Sequence, residues 1–134
     1  MTDSKDVRSQ QRFANFKKAL KLYEEALASR TTKLSRLEEE GLIQRFEYTF
    51  ELAWKTLQDV LFERGQESIR GPRPVIEQSF QDGLISQGQV WLDMLKARNQ
   101  TAHLYDQATF EQISAKVKGP FVERLRDFRG NFGK

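Results

Sequence analysis

The 134-residue chain contains no cysteine. Disulfides and thiolate metal sites are therefore excluded, and a reducing, cytoplasmic setting is the expectation that fits. Histidine is nearly absent too: His103 is the only one. One imidazole cannot build a His-rich zinc or iron site within a chain. A Ser-His-Asp triad would have to use His103, and no G-x-S-x-G turn accompanies it. No G-x4-G-K-[ST] phosphate loop occurs either, so neither a metal nor a cofactor is expected. No apolar run reaches the roughly eighteen residues that a membrane span requires. The polar stretch Met1 to Gln11 lacks the apolar core of a secretory signal.

The length predicts one domain over residues 1–134. Hydrophobic residues make up only 38% of the chain, but ten Phe, two Trp and three Tyr supply bulk. That aromatic content argues against disorder. The net charge of +3 is too small to announce a nucleic-acid surface. Its distribution is uneven: residues 1–95 hold 14 basic and 15 acidic side chains, residues 96–134 hold 8 and 4.

Apolar residues recur at helical spacing throughout. Phe13, Phe16, Leu20, Tyr23 and Leu27 step by three and four and predict a helix over about residues 7–29. Ser35 and Glu38 have capping-box spacing and open a second helix. Its stripe runs through Leu42, Phe46, Phe50, Ala53, Leu57 and Leu61, and Gly65 is its stop. On that helix Glu47, Glu51 and Lys55 read as surface charge, with Glu51 and Lys55 a favourable pair. Residues 65–74 hold the only Pro-Gly cluster and predict a loop, with Pro74 in the first turn of a short helix. Ser86 is the expected cap of a fourth helix carrying Val90, Trp91, Met94 and Leu95. Asp106 caps the last segment, whose stripe runs from Phe110 to Phe128. Gly119-Pro120 predicts a kink or break within it, and the tail from Gly130 is expected to fray. The fold class expected is all-α: an antiparallel, up-and-down four-helix bundle with one short extra helix.

The segment Arg98-Asn99-Gln100-Thr101-Ala102-His103-Leu104-Tyr105 concentrates the chain's reactive groups. Arginine offers a permanent charge and a fork of donors suited to phosphate. Histidine exchanges a proton near neutral pH. Together they could activate a ribose hydroxyl and stabilise a charged phosphorus without a metal. On an unbroken helix, residues five apart diverge by about 140°. Convergence of Arg98 and His103 therefore predicts that the helix ends or unwinds at Asn99 to Ala102. One His serves as acid or base, not both at once, so a homodimer with a shared cleft is expected. The ordinary reading of the same residues is a His at a helix end, Arg98 in a surface ion pair, and a half-buried Tyr105.

Two stretches carry a family likeness. Gln44-Arg45-Phe46-Glu47-Tyr48-Thr49-Phe50-Glu51-Leu52-Ala53-Trp54-Lys55-Thr56-Leu57, followed by Arg98-Asn99 and His103-Leu104-Tyr105, resembles the nucleotidyltransferase substrate-binding protein family of the HEPN superfamily. The likeness spans roughly residues 8–128. It implies a HEPN-like helical bundle, commonly dimeric, paired with a small minimal nucleotidyltransferase. Many such pairs are toxin–antitoxin systems in which the HEPN chain is a metal-independent ribonuclease acting on RNA. Carried over by position, Arg98 and His103 become the catalytic R-x4-H pair and Asn99 the polar residue after the arginine. Tyr105 becomes the tyrosine that the partner adenylylates. The alternative from a different class is a non-enzymatic substrate-binding subunit that docks on the nucleotidyltransferase.

Overall fold

The computed structural model describes residues 4–29 and 33–132. Among these residues there are six α-helices and no strand. They are α1 (Ser4–Ala28), α2 (Arg36–Glu63), α3 (Pro72–Gln81), α4 (Gly88–Gln100), α5 (Gln107–Val117) and α6 (Pro120–Phe132). A 3-10 turn, Thr101–His103, joins α4 towards α5. None of these helices is long and apolar enough to cross a membrane.

Most helix ends follow local chemistry. Ser35 Oγ accepts from the Glu38 N–H while the Glu38 carboxylate accepts from the Ser35 N–H, so both halves of the capping box form. Asp106 likewise takes the N–H and hydroxyl of Thr109. At the end of α2, Gly65 sits at φ +88°. Its N–H reaches the Phe62 carbonyl and the Gln66 N–H reaches that of Leu61, which closes the helix in a Schellman arrangement. Gly119-Pro120 divides the last stripe into α5 and α6, because proline cannot donate to the preceding turn.

Three expectations are corrected. Ser86 does not cap α4: Gln87 holds the cap position, in a left-handed conformation at φ 57° and without a side-chain bond. The Ser86 hydroxyl instead accepts from Arg124 at 3.1 Å. Packing governs this helix start, since a Cβ on Gly88 would lie 2.8 Å from the Phe80 ring. The loop is also shorter than expected, because α3 begins at Pro72 with Gly71 as cap. Its Gly71 N–H is held by the Gln58 side chain at 2.9 Å. Finally, α6 does not fray at Gly130 but continues to Phe132. The Phe132 ring packs against Phe13 and Phe128 with centroids 4.7 and 5.2 Å apart. The last two residues lie outside the described ones.

Cross-contacts show the helices running antiparallel. Tyr23 meets Phe46, Arg12 meets Asp59 and Ser9 meets Glu63, so α1 descends as α2 rises. Glu47 bonds Thr101 and Glu51 pairs with Arg98, which gives the same relation between α2 and α4. The core between them is rich in aromatic rings. Phe128 is its junction, touching Phe13, Phe16 and Trp91 within 5.2–5.8 Å. Phe46 stacks on both Phe50 and Phe121. The one deeply placed phenol, Tyr23, donates to the Val117 carbonyl at 2.5 Å, and burial pushes its ionisation far above the ordinary tyrosine range.

Charge closes the outer seam between α1 and α6. Glu24 receives Arg126 at 2.7 Å and Arg129 at 2.6 Å. The Arg129 hydrogen bond, opposed by burial and helped by Arg126, holds the Glu24 carboxyl below the usual carboxylate range. Its contribution to stability is thus complete above the ordinary pKa and disappears as pH falls through the lowered one. A Glu24→Gln variant should be about 1 kcal/mol less stable than wild type at neutral pH, with the gap closing in thermal melts as pH falls below the ordinary carboxylate range. Phe128→Ala should cost about 3–5 kcal/mol in urea unfolding, because four aromatic neighbours lose a partner at once.

Candidate functional site

The site is laid out by α2. Its core stripe is accompanied by a second, charged one: Arg36, Glu40, Glu47 and Glu51. At 100° per residue these four fall within about 60° of each other on the helix. That stripe faces the end of α4, the 3-10 turn and the start of α5. Glu47 accepts from the Thr101 hydroxyl at 2.9 Å. The same Thr101 oxygen lies 2.9 Å from the Arg98 carbonyl. Glu51 Oε1 stands 2.5 Å from Arg98 Nη2. This is a charge contact and not an aligned hydrogen bond, since Oε1 is buried without a well-directed donor. Glu51 also keeps the expected pair with Lys55, at 3.8 Å.

The α-helix gives way at Gln100 and a 3-10 turn follows, inside the stretch where unwinding was expected. The turn does not bring the R-x4-H pair into contact. Arg98 is directed to Glu51 and to the Asn99 side chain, 3.1 Å away. His103 is exposed, and its Nδ1 lies 3.2 Å from the Tyr105 hydroxyl. The two rings meet edge-on at 5.8 Å. Among the described residues no hydrogen bond or ion pair joins Arg98 to His103. Tyr105 is not half-buried: it is 81% exposed, the most open of the large apolar or aromatic side chains described. Two chemically distinct halves result. One is a guanidinium neutralised by a carboxylate; the other is a solvent-facing phenol with an imidazole on its oxygen.

Sequence reading left Arg36, Glu40 and Glu47 out of this site. The i, i+4, i+11, i+15 spacing of Arg36, Glu40, Glu47 and Glu51 was the available signal. A neighbouring strip of α2, with Leu37, Gly41, Gln44 and Tyr48, lines an open groove that ends at Leu104. Leu37 is 79% exposed there. Among the described residues, no three His, Asp or Glu side chains gather closely enough to share a metal ion.

The Glu51–Arg98 contact should show in a double-mutant cycle. With both side chains about a third exposed or less, Glu51→Gln and Arg98→Gln should give a coupling of about 1 kcal/mol in urea unfolding, shrinking as salt is added.

Comparison with known proteins agrees with this architecture. A crystal structure of a Thermus thermophilus protein is similar over 85% of this chain and 98% of that one, at 30% identity and a TM-score of 0.71. No curated protein sequence matches the chain. Residues 11–132 match the family described as nucleotidyltransferase substrate binding protein like. With nearly its whole length inside that match, the chain belongs to the nucleotidyltransferase substrate-binding-protein-like family.

Proposed function

We propose that this chain is the partner subunit of a small nucleotidyltransferase, docking on it and offering the Arg98–Tyr105 turn to its active site. The observation that carries the reading is the exposed Tyr105 hydroxyl, 81% open and 3.2 Å from His103 Nδ1. A phenol in that setting is open to a partner's active site and has a proton acceptor within reach. In an adenylyl transfer, the Tyr105 oxygen attacks the α-phosphorus of ATP and pyrophosphate leaves. The phenolic proton passes to His103, whose Nδ1 accepts when Nε2 carries the ring hydrogen. The partner supplies the metal-binding carboxylates, and the groove where Leu37, Tyr48 and Leu104 lie beside Glu40, Glu47 and Glu51 gives it a mixed apolar and acidic footing.

A second reading, that of a HEPN ribonuclease toxin, draws on Arg98 and His103 flanking the same exposed turn. Because they do not meet within one chain, this reading requires a homodimer in which two turns share a cleft around RNA. AMP on Tyr105 would then place negative charge and bulk beside His103, and so silence the cleft.

Incubating the chain with its purified partner nucleotidyltransferase, ATP and magnesium should raise its mass by one or more AMP units. Tyr105→Phe should abolish the adduct, and His103→Ala should slow its formation by about 10²-fold. A complex that forms without any adduct on Tyr105 would overturn the acceptor role. RNA cleavage in chelator that is lost in His103→Ala, together with growth arrest on expressing the chain alone, would favour the ribonuclease.

A further inference from the structure

Arg36 occupies the first position of α2, where a cation opposes the helix dipole. Local helix chemistry gives an arginine there one partner, Glu40 a turn further on, while three contacts lie outside the helix. Its Nε donates to Glu40 at 2.9 Å. Its Nη1 donates to the Gln107 side-chain oxygen at 2.9 Å. Its Nη2 donates to the Leu104 carbonyl. The guanidinium carbon lies over the Phe110 ring, 3.7 Å from the centroid. Gln107 is itself aligned, its amide nitrogen donating to Glu111 at 2.9 Å. One side chain thus ties the start of α2 to the turn and to the first winding of α5.

The Leu104 carbonyl is the contact with functional weight. It belongs to the peptide group whose nitrogen is that of Tyr105, so fixing its direction fixes the Leu104–Tyr105 plane. On the other side, the Asp106 N–H bonds the His103 carbonyl at 3.0 Å, and the Asp106 side chain caps α5. Tyr105 is held through both flanking peptides while its own ring stays open to solvent.

We propose that Arg36 is the positioning residue of the tyrosine turn: by clamping the Leu104 carbonyl and Gln107, it holds the Tyr105 hydroxyl on His103. The meaning for adenylyl transfer rests on the acceptor role proposed above; the clamp itself does not. Lysine cannot replace it, because a compact ammonium cannot cover the Phe110 ring and reach three separated acceptors at once.

The test uses the full chain as wild type, Arg36→Lys, Arg36→Met and Tyr105→Phe. His103 is the only histidine, so its ring signals in NMR assign themselves. Tyr105→Phe defines the signature of a ring that has lost its hydroxyl partner. Both Arg36 variants should move the His103 signals towards that signature while far-UV circular dichroism stays helical. With partner enzyme and ATP, adduct formation on Tyr105 should fall about tenfold in kcat with the KM for ATP unchanged, less in Arg36→Lys than in Arg36→Met. If Arg36→Met fails to fold, Arg36→Lys decides alone, since it keeps the charge and most of the stem. Wild-type His103 signals in a folded Arg36→Lys would overturn the clamp. Shifted signals in the Arg36 variants, alongside a wild-type chain that never acquires AMP, would uphold the clamp and remove the acceptor role.

Discussion

The charged stripe of α2 is the constraint on which the rest of the site depends. A helix in a bundle normally turns its hydrocarbon inward and leaves charge to water. Here the Phe46–Phe50–Leu57 face does the first, while Glu47 and Glu51 are directed at α4 and not left in solvent. They meet the α4 end where its carbonyls run out of helical donors. The turn that follows is therefore shaped by α2 as much as by its own residues. Glu47 through Thr101 and Glu51 through Arg98 hold the end of α4, as Arg36 holds the turn beyond it.

The uneven charge of the chain has an internal explanation. The basic excess after residue 95 is largely consumed by acids of the first two helices: Lys118 meets Glu39, Arg98 meets Glu51, and Arg126 and Arg129 meet Glu24. The late segment is positive because the early one presents carboxylates where it docks. The asymmetry is thus mostly a seam and only in small part an open basic surface.

What the sequence made legible was whatever a short window contains. Helical spacing located the elements, Ser35 with Glu38 and Asp106 marked two of the starts, and Gly119-Pro120 marked the division before α6. Ser86 misled because the packing of Gly88 against Phe80 sets where α4 begins, and its hydroxyl meets Arg124, far along the chain. The tail misled because glycine-rich composition says nothing of a Phe132 that finds Phe13. In the site, an end to the helix within Asn99 to Ala102 was legible, but the exposure of Tyr105 and the partner of Arg98 were not. Glu51 lies one helix away, and Lys55 four residues on was a sufficient explanation for it. Tertiary charge pairing is invisible at that range, whereas the capping chemistry is local.

The placement of Phe128 also bears on how the protein is made. The junction of the aromatic core sits on α6, the last helix, yet its neighbours Phe13 and Phe16 are on the first. A growing polypeptide can pair α1 with α2 early, but it cannot seal the core until residues 120–132 have emerged. Until then the Phe13, Phe16 and Trp91 rings lack the ring that covers them, which is the condition under which nascent chains associate with one another or with chaperones. Assembly of a shielded interior thereby waits until α6 has been made.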